Sequence, residues 1–84
     1  MDNIEIVMIK LKGCGPCEQF EPIIENYTKE KNIRFKTIQA ENMPKNIRPP
    51  YYPYFYLRKK DKVIEEWAGN SEKKMKSVIK RNFV

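Results

Sequence analysis

Gly13-Cys14-Gly15-Pro16-Cys17 is the stretch on which the reading of this chain turns. Ahead of it runs Ile4 to Leu11 (IEIVMIKL), rich in Ile and Val, which reads as a buried strand. Behind it, Phe20, Ile23, Ile24 and Tyr27 fall at i, i+3, i+4 and i+7, one apolar helical stripe. The cysteines therefore sit where a strand end gives way to a helix start. Two intervening residues let the first helical turn bring both sulfurs within disulfide reach. Cys14 then lies at the helix N-terminus, where unpaired N–H groups and the dipole favour an anion such as a thiolate. Pro16 sacrifices no useful hydrogen bond there and pre-sets the backbone. Cys17, one turn in, is more shielded, so Cys14 is expected to be the nucleophile and Cys17 the resolving thiol.

Outward from the motif, Pro22 should kink the helix and Asn32 can end it. Ile33 to Ile38 (IRFKTI) alternates, with Ile33 and Phe35 on a buried face and Arg34 and Lys36 on a wet one. From Gln39 to Tyr52 the pattern degrades around Pro44, Pro49 and Pro50, with room for one short helical turn between Met43 and Arg48. Tyr54 to Arg58 and Val63 to Trp67 read as a hairpin across the polar turn Lys59–Lys62. Ser71 is a plausible N-cap for a last helix with Met75, Val78 and Ile79 on its core face. The order strand, helix, strand, long loop, strand, strand, helix describes an α/β sandwich on a four-stranded mixed sheet, with a right-handed first crossover.

The chain has 84 residues, a formal net charge of +6, 33% charged and 40% apolar residues, and no histidine. That balance is globular, and the length allows one domain over residues 1–84. A domain this small buries only about 60% of its unfolded surface, so its core is thin. Without histidine no Ser-His or Cys-His pair can form, and two cysteines cannot fill a four-ligand zinc site. The start, Met1-Asp2-Asn3, lacks a basic n-region, and no run approaches the ~20 apolar residues of a membrane helix. The expected location is a reducing cytosol, where a close cysteine pair signals redox or metal chemistry rather than a structural staple.

The motif and its surroundings resemble the thioredoxin-fold family, in which Cys-Gly-Pro-Cys is the typical thioredoxin sequence. Pro22 falls eight residues after Cys14, at the place of the family's helix-kinking proline. Pro53 fits the family's cis-proline, which faces the cysteines just before a strand, and Gly69 follows it by the family's sixteen residues. The resemblance spans Ile4 to the C-terminus and implies a minimal thioredoxin fold lacking the extra N-terminal strand and helix. Glutaredoxin signatures such as Cys-Pro-Tyr-Cys are absent. Three departures stand out. Gly13 replaces the usual tryptophan, Met8 replaces the buried acid, and Thr37 stands where that acid's lysine partner is expected. The tuning of Cys14 is then left to the helix terminus, Pro16 and Lys12, with Glu18 opposing.

The implied activity is dithiol exchange with disulfide-containing protein substrates, and the only redox group is the Cys14–Cys17 disulfide. No bound cofactor or metal is implied. Tyr51, Tyr52, Pro53 and Gly69 are the expected substrate contacts. A thioredoxin-reductase-like flavoprotein or glutathione would supply electrons. Two rival readings stand beside this one: a glutathione-dependent glutaredoxin, and a non-catalytic adaptor or metal-binding module docking through a tyrosine face. Tyr54 and Tyr56 alternate with Phe55 and Leu57 on one strand, which favours sheet packing and a monomer over a dimer surface. The basic residues Arg58, Lys59, Lys60, Lys62, Lys73, Lys74, Lys76, Lys80 and Arg81 are interrupted by Glu65, Glu66 and Glu72, and no nucleic-acid motif accompanies them. Nucleic-acid and membrane partners are not expected.

Overall fold

The most apolar run of the chain, β1 (Ile4–Lys10), occupies an inner position of the sheet and is covered on both faces. Ile4, Ile6, Val7, Met8 and Ile9 are all buried, as a strand lacking apolar/polar alternation requires. The computed structural model describes residues 4–82, so the Met1-Asp2-Asn3 start lies outside the described residues. The remaining elements are α1 (Gly15–Glu30), β2 (Arg34–Gln39), β3 (Tyr54–Lys59), β4 (Lys62–Ala68) and α2 (Glu72–Asn82). The sheet order is β2-β1-β3-β4. β1 pairs parallel with β2 and antiparallel with β3, and β3 pairs antiparallel with β4, so the expected four-stranded mixed sheet is present.

Helix α1 continues through Pro22 as one element. Its buried line is Cys17, Phe20, Ile24 and Thr28, and Ile23, expected on that stripe, is 39% exposed. The stripe is rotated toward Thr28, whose hydroxyl donates to the carbonyls of Ile24 at 2.9 Å and Glu25 at 3.0 Å. Those bonds satisfy a polar group that periodicity alone would place in solvent. The helix closes as a Schellman motif: Ile33 N–H donates to Thr28 at 2.8 Å and Asn32 N–H to Lys29 at 3.3 Å. Asn32 takes the left-handed position, φ 58°, consistent with its role as a stop.

The β3–β4 hairpin turns on Lys60 and Asp61, both at positive φ, the two-residue arrangement that matches strand twist. A register shift between Leu57 and Arg58 sets Glu65 opposite Leu57 and Val63 opposite Arg58, leaving Ile64 as the extra residue, 43% exposed. Ser71 caps α2, its hydroxyl accepting from the Lys74 amide at 3.1 Å. Arg81 and Asn82 at the far end of α2 both reach the Glu65 carboxylate on β4.

Both helices pack on one sheet face. There Ile4, Ile6, Met8, Phe20, Ile24, Phe55, Leu57, Trp67, Met75, Val78 and Ile79 form the main core. Phe55 is its hub, stacked on Trp67 at 4.9 Å and meeting Phe20 edge-on at 5.7 Å. The other face carries a smaller cluster of Val7, Ile9 and Ala40, with Ile38, Met43, Tyr52, Tyr54 and Tyr56 packed against it. Two short 3-10 turns, Ala40–Asn42 and Lys45–Ile47, lie in the segment between β2 and β3. The first falls outside the window in which one turn was expected. Its Ala40 is fully buried against β1, a tertiary contact that a local pattern does not register. Tyr54 and Tyr56 pack edge-to-face at 5.3 Å in this cluster, the amphipathic sheet packing that their alternation suggested.

Candidate active site

The register of the sheet gathers the candidate residues at one end. Ile9 near the end of β1 lies opposite Tyr54 at the start of β3, and Tyr54 lies opposite Ala68 at the end of β4. The loops that carry Cys14, Pro53 and Gly69 therefore leave the sheet side by side.

β1 runs into a tight turn in which the Cys14 amide donates to the Leu11 carbonyl at 3.2 Å. Gly13 takes φ 77° in that turn, which is the reason glycine suits the place usually held by tryptophan in the resembled family. No atom lies within 4 Å of where a Cβ would stand at Gly13, so the constraint is conformational rather than steric. Cys14 then becomes the N-cap of α1 with an extended backbone, and its sulfur accepts the Cys17 amide at 3.1 Å. A side chain that caps a helix with its own sulfur sees the unpaired N–H groups of the first turn. Pro16 lies in that first turn, and Glu18 is its acidic residue.

Cys14 and Cys17 are joined as a disulfide with Cα atoms 5.2 Å apart. Cys17 is 1% exposed and belongs to the main core, whereas Cys14 is half-buried at its edge. The asymmetry expected from the sequence is thus present, one sulfur reachable and one enclosed.

The Tyr52–Pro53 peptide bond is cis, as the resemblance to the thioredoxin fold implied. Pro53 is fully buried, Tyr52 packs against both apolar clusters, and Tyr51 is 70% exposed. The Pro53 carbonyl accepts the Gly69 amide at 2.8 Å, with Gly69 at φ 101°. Gly69 therefore spends its amide on shaping the proline corner. Among the described residues no hydrogen bond engages the backbone of Tyr52.

Met8 is fully buried and lies beside Thr37 across the β1–β2 ladder, so no carboxylate stands at that place. Two carboxylates the sequence reading missed hold the active-site loop instead. Glu21 of α1 pairs with Lys10 at 2.8 Å, and Glu41 of the first 3-10 turn accepts the Lys12 backbone amide at 3.0 Å. That amide and the Arg48 guanidinium hold the Glu41 carboxyl below the usual carboxylate range. Neither contact has a local sequence signal, since each joins segments distant in the chain. Among the described residues no three His, Cys, Asp or Glu side chains are placed to hold a metal ion. No described helix is long and apolar enough to cross a membrane.

A strand-to-helix cysteine pair set beside a cis-proline is the working centre of a thiol–disulfide oxidoreductase, and comparison with known proteins gives the family. The family model described as Thioredoxin matches residues 2–81. A thioredoxin of Ictalurus punctatus is 26% identical over 84 residues, covering 93% of this chain and 78% of that protein. Among solved structures, Fasciola hepatica thioredoxin superposes with a TM-score of 0.84 at 23% identity, covering 94% of this chain and 80% of that one. Thioredoxin f2, solved in complex with ferredoxin:thioredoxin reductase, gives 0.86 at 19% identity, covering 99% of this chain and 80% of that one. The chain belongs to the thioredoxin family. Its activity is accordingly protein-disulfide oxidoreduction of the thioredoxin type rather than the glutaredoxin type.

Proposed function

We propose that the protein works as a dithiol reductant of protein disulfides, with Cys14 as nucleophile and Cys17 as resolving thiol. The observation that carries this is the unequal burial of the two sulfurs at the helix N-cap. In the reduced state the Cys14 thiolate attacks one sulfur of a substrate disulfide. The substrate S–S bond breaks, and the departing sulfur takes up a proton as a thiol. Cys17, as thiolate, then attacks the Cys14 sulfur and breaks the mixed disulfide, so the second substrate sulfur leaves and is protonated. Two electrons have passed to the substrate, and the Cys14–Cys17 disulfide remains.

The free backbone of Tyr52, beside Pro53, is placed to pair with an extended substrate segment as an added strand, and exposed Tyr51 offers an apolar shelf for its side chains. Gly69 supports that surface through Pro53. Lys12 and Pro16 favour the Cys14 thiolate, Lys12 by charge and Pro16 by fixing the first helical turn. A thioredoxin-reductase-like flavoprotein restores the dithiol, a reading supported by the Cys-Gly-Pro-Cys motif and by a structural neighbour solved with a reductase. A monomer in a reducing cytosol suits this cycle. The net charge of +6 would steer an acidic partner toward it.

Insulin reduction tests the reading. The wild type should precipitate insulin in the presence of a dithiol reductant, and Cys14→Ser should lose that activity. A Cys14→Ser protein working at the wild-type rate would remove the mechanism. Supplying NADPH with thioredoxin reductase or NADPH with glutathione and glutathione reductase decides the electron donor, and faster turnover with the former is expected.

A further inference from the structure

The turn that presents Cys14 is held from two sides. On the helix face Lys10 pairs with Glu21 of α1 at 2.8 Å. On the opposite face Ala40–Asn42 packs over Val7 and Ile9 through Ala40, and Glu41 of that turn accepts the Lys12 amide at 3.0 Å. Arg48 secures the Glu41 segment in turn, its guanidinium donating to the Met43 carbonyl at 2.8 Å and the Glu41 carbonyl at 3.1 Å. Lys12 sits inside the Leu11–Cys14 turn, so its amide cannot move without moving Cys14. Gly13 at φ 77° is the most permissive backbone of that turn, and without an external tether the turn would have several conformations open to it.

We propose that Glu41 is a positioning residue of the redox centre: by binding the Lys12 amide it fixes the Leu11–Cys14 turn so that the Cys14 sulfur stays on the Cys17 amide. Where the resembled family places its acid in the core, this chain has the buried Met8, and Glu41 works instead on the loop from the surface. The charge-assisted bond to a backbone amide is directional, so it restrains geometry as well as adding attraction. The inference rests on the reading of Cys14 as the attacking thiol.

Charge-matched variants separate the hydrogen bond from the charge. Glu41→Gln removes the charge and keeps an acceptor of the same reach, and Glu41→Ala removes both. Iodoacetamide alkylation of Cys14 at neutral pH should be about threefold slower in the alanine variant than in the glutamine variant. Hydrogen exchange of the Lys12 amide should be about tenfold faster in the alanine variant, the effect of losing one such bond. Equal alkylation and equal exchange in the two variants would overturn the proposal. So would faster exchange with unchanged alkylation, since the turn would then move without affecting the sulfur. Should Glu41→Ala not fold, wild type and Glu41→Asp form the second charge-matched pair, and the shorter side chain should show the same slowing. Peptide mapping shows which sulfur is labelled. Alkylation of wild type at Cys17 first would sink the nucleophile assignment itself, a result distinct from equality between variants.

Discussion

The Gly69 amide donates to the Pro53 carbonyl at 2.8 Å, locking the exit of β4 to the entry of β3 beside the redox pair. Gly69 adopts φ 101°, and no atom lies within 4 Å of where a Cβ would stand. Gly69→Ala should therefore cost stability through its backbone alone, by about 1–2 kcal/mol. Urea unfolding measures that loss. Insulin reduction should weaken through KM more than kcat, because the strand-pairing surface at Tyr52 shifts while the sulfurs stay in place.

Cys17→Ser should leave the first exchange step intact and stop the second. A non-reducing gel of Cys17→Ser incubated with a disulfide substrate is expected to show a covalent adduct that dithiothreitol dissolves. Cys14→Ser under the same conditions should show none. Adduct formation by the latter and not the former would reverse the assigned roles.

Phe55 of β3 is fully buried between Trp67 of β4 and Phe20 of α1. Phe55→Ala should destabilise the protein by about 3–5 kcal/mol. That is a large share of the roughly 5–15 kcal/mol typical of a folded domain. Phe55→Leu keeps most of the volume and should cost less. Thermal melts of the two variants give the order, and near-equal losses would show that the ring's contacts with Trp67 and Phe20, rather than its volume, carry the effect.

Tyr54 donates to Glu66 at 2.6 Å, and this hydrogen bond, aided by burial, pushes its phenol up to about 12. The folded state therefore favours the protonated phenol relative to the unfolded chain. Its contribution to stability is fully present below pH 10 and is lost as pH rises through 12. Burial raises the Tyr56 phenol as well, so tyrosinate absorbance should show late-ionising tyrosines and lose one of them in Tyr54→Phe. The stability of that variant should also fall less steeply between those pH values than that of wild type.

Much of the site was legible because it rests on local chemistry. Cys14 and Cys17 sit at a strand-to-helix junction that apolar periodicity reveals, Pro53 stands just before a strand where the resembled family has its cis-proline, and Gly69 follows it at the family's spacing. Asn32 and Ser71 announced helix ends by backbone and side-chain preferences that act within a few residues. What escaped is what tertiary contact decides. The rotation of α1 toward Thr28 is set by the sheet it packs on, and the shift at Leu57/Arg58 by strand pairing. Glu41 meets Lys12 only because Ala40 anchors its turn over β1, and a glutamate in a proline-punctuated segment carries no mark of that.

β2 has a neighbouring strand on one side only among the described residues, so its outer rim offers bare amides and carbonyls. Such a rim is a template for stacking chains into aggregates. Arg34 and Lys36 stand on that strand, both exposed on the face away from the helices, and two like charges spaced along it repel an identical strand approaching edge to edge. How concentrated a solution this protein tolerates, and how long it survives storage, then depends on two cations remote from the thiols. High salt, which weakens their mutual repulsion, works against its shelf life without touching its chemistry.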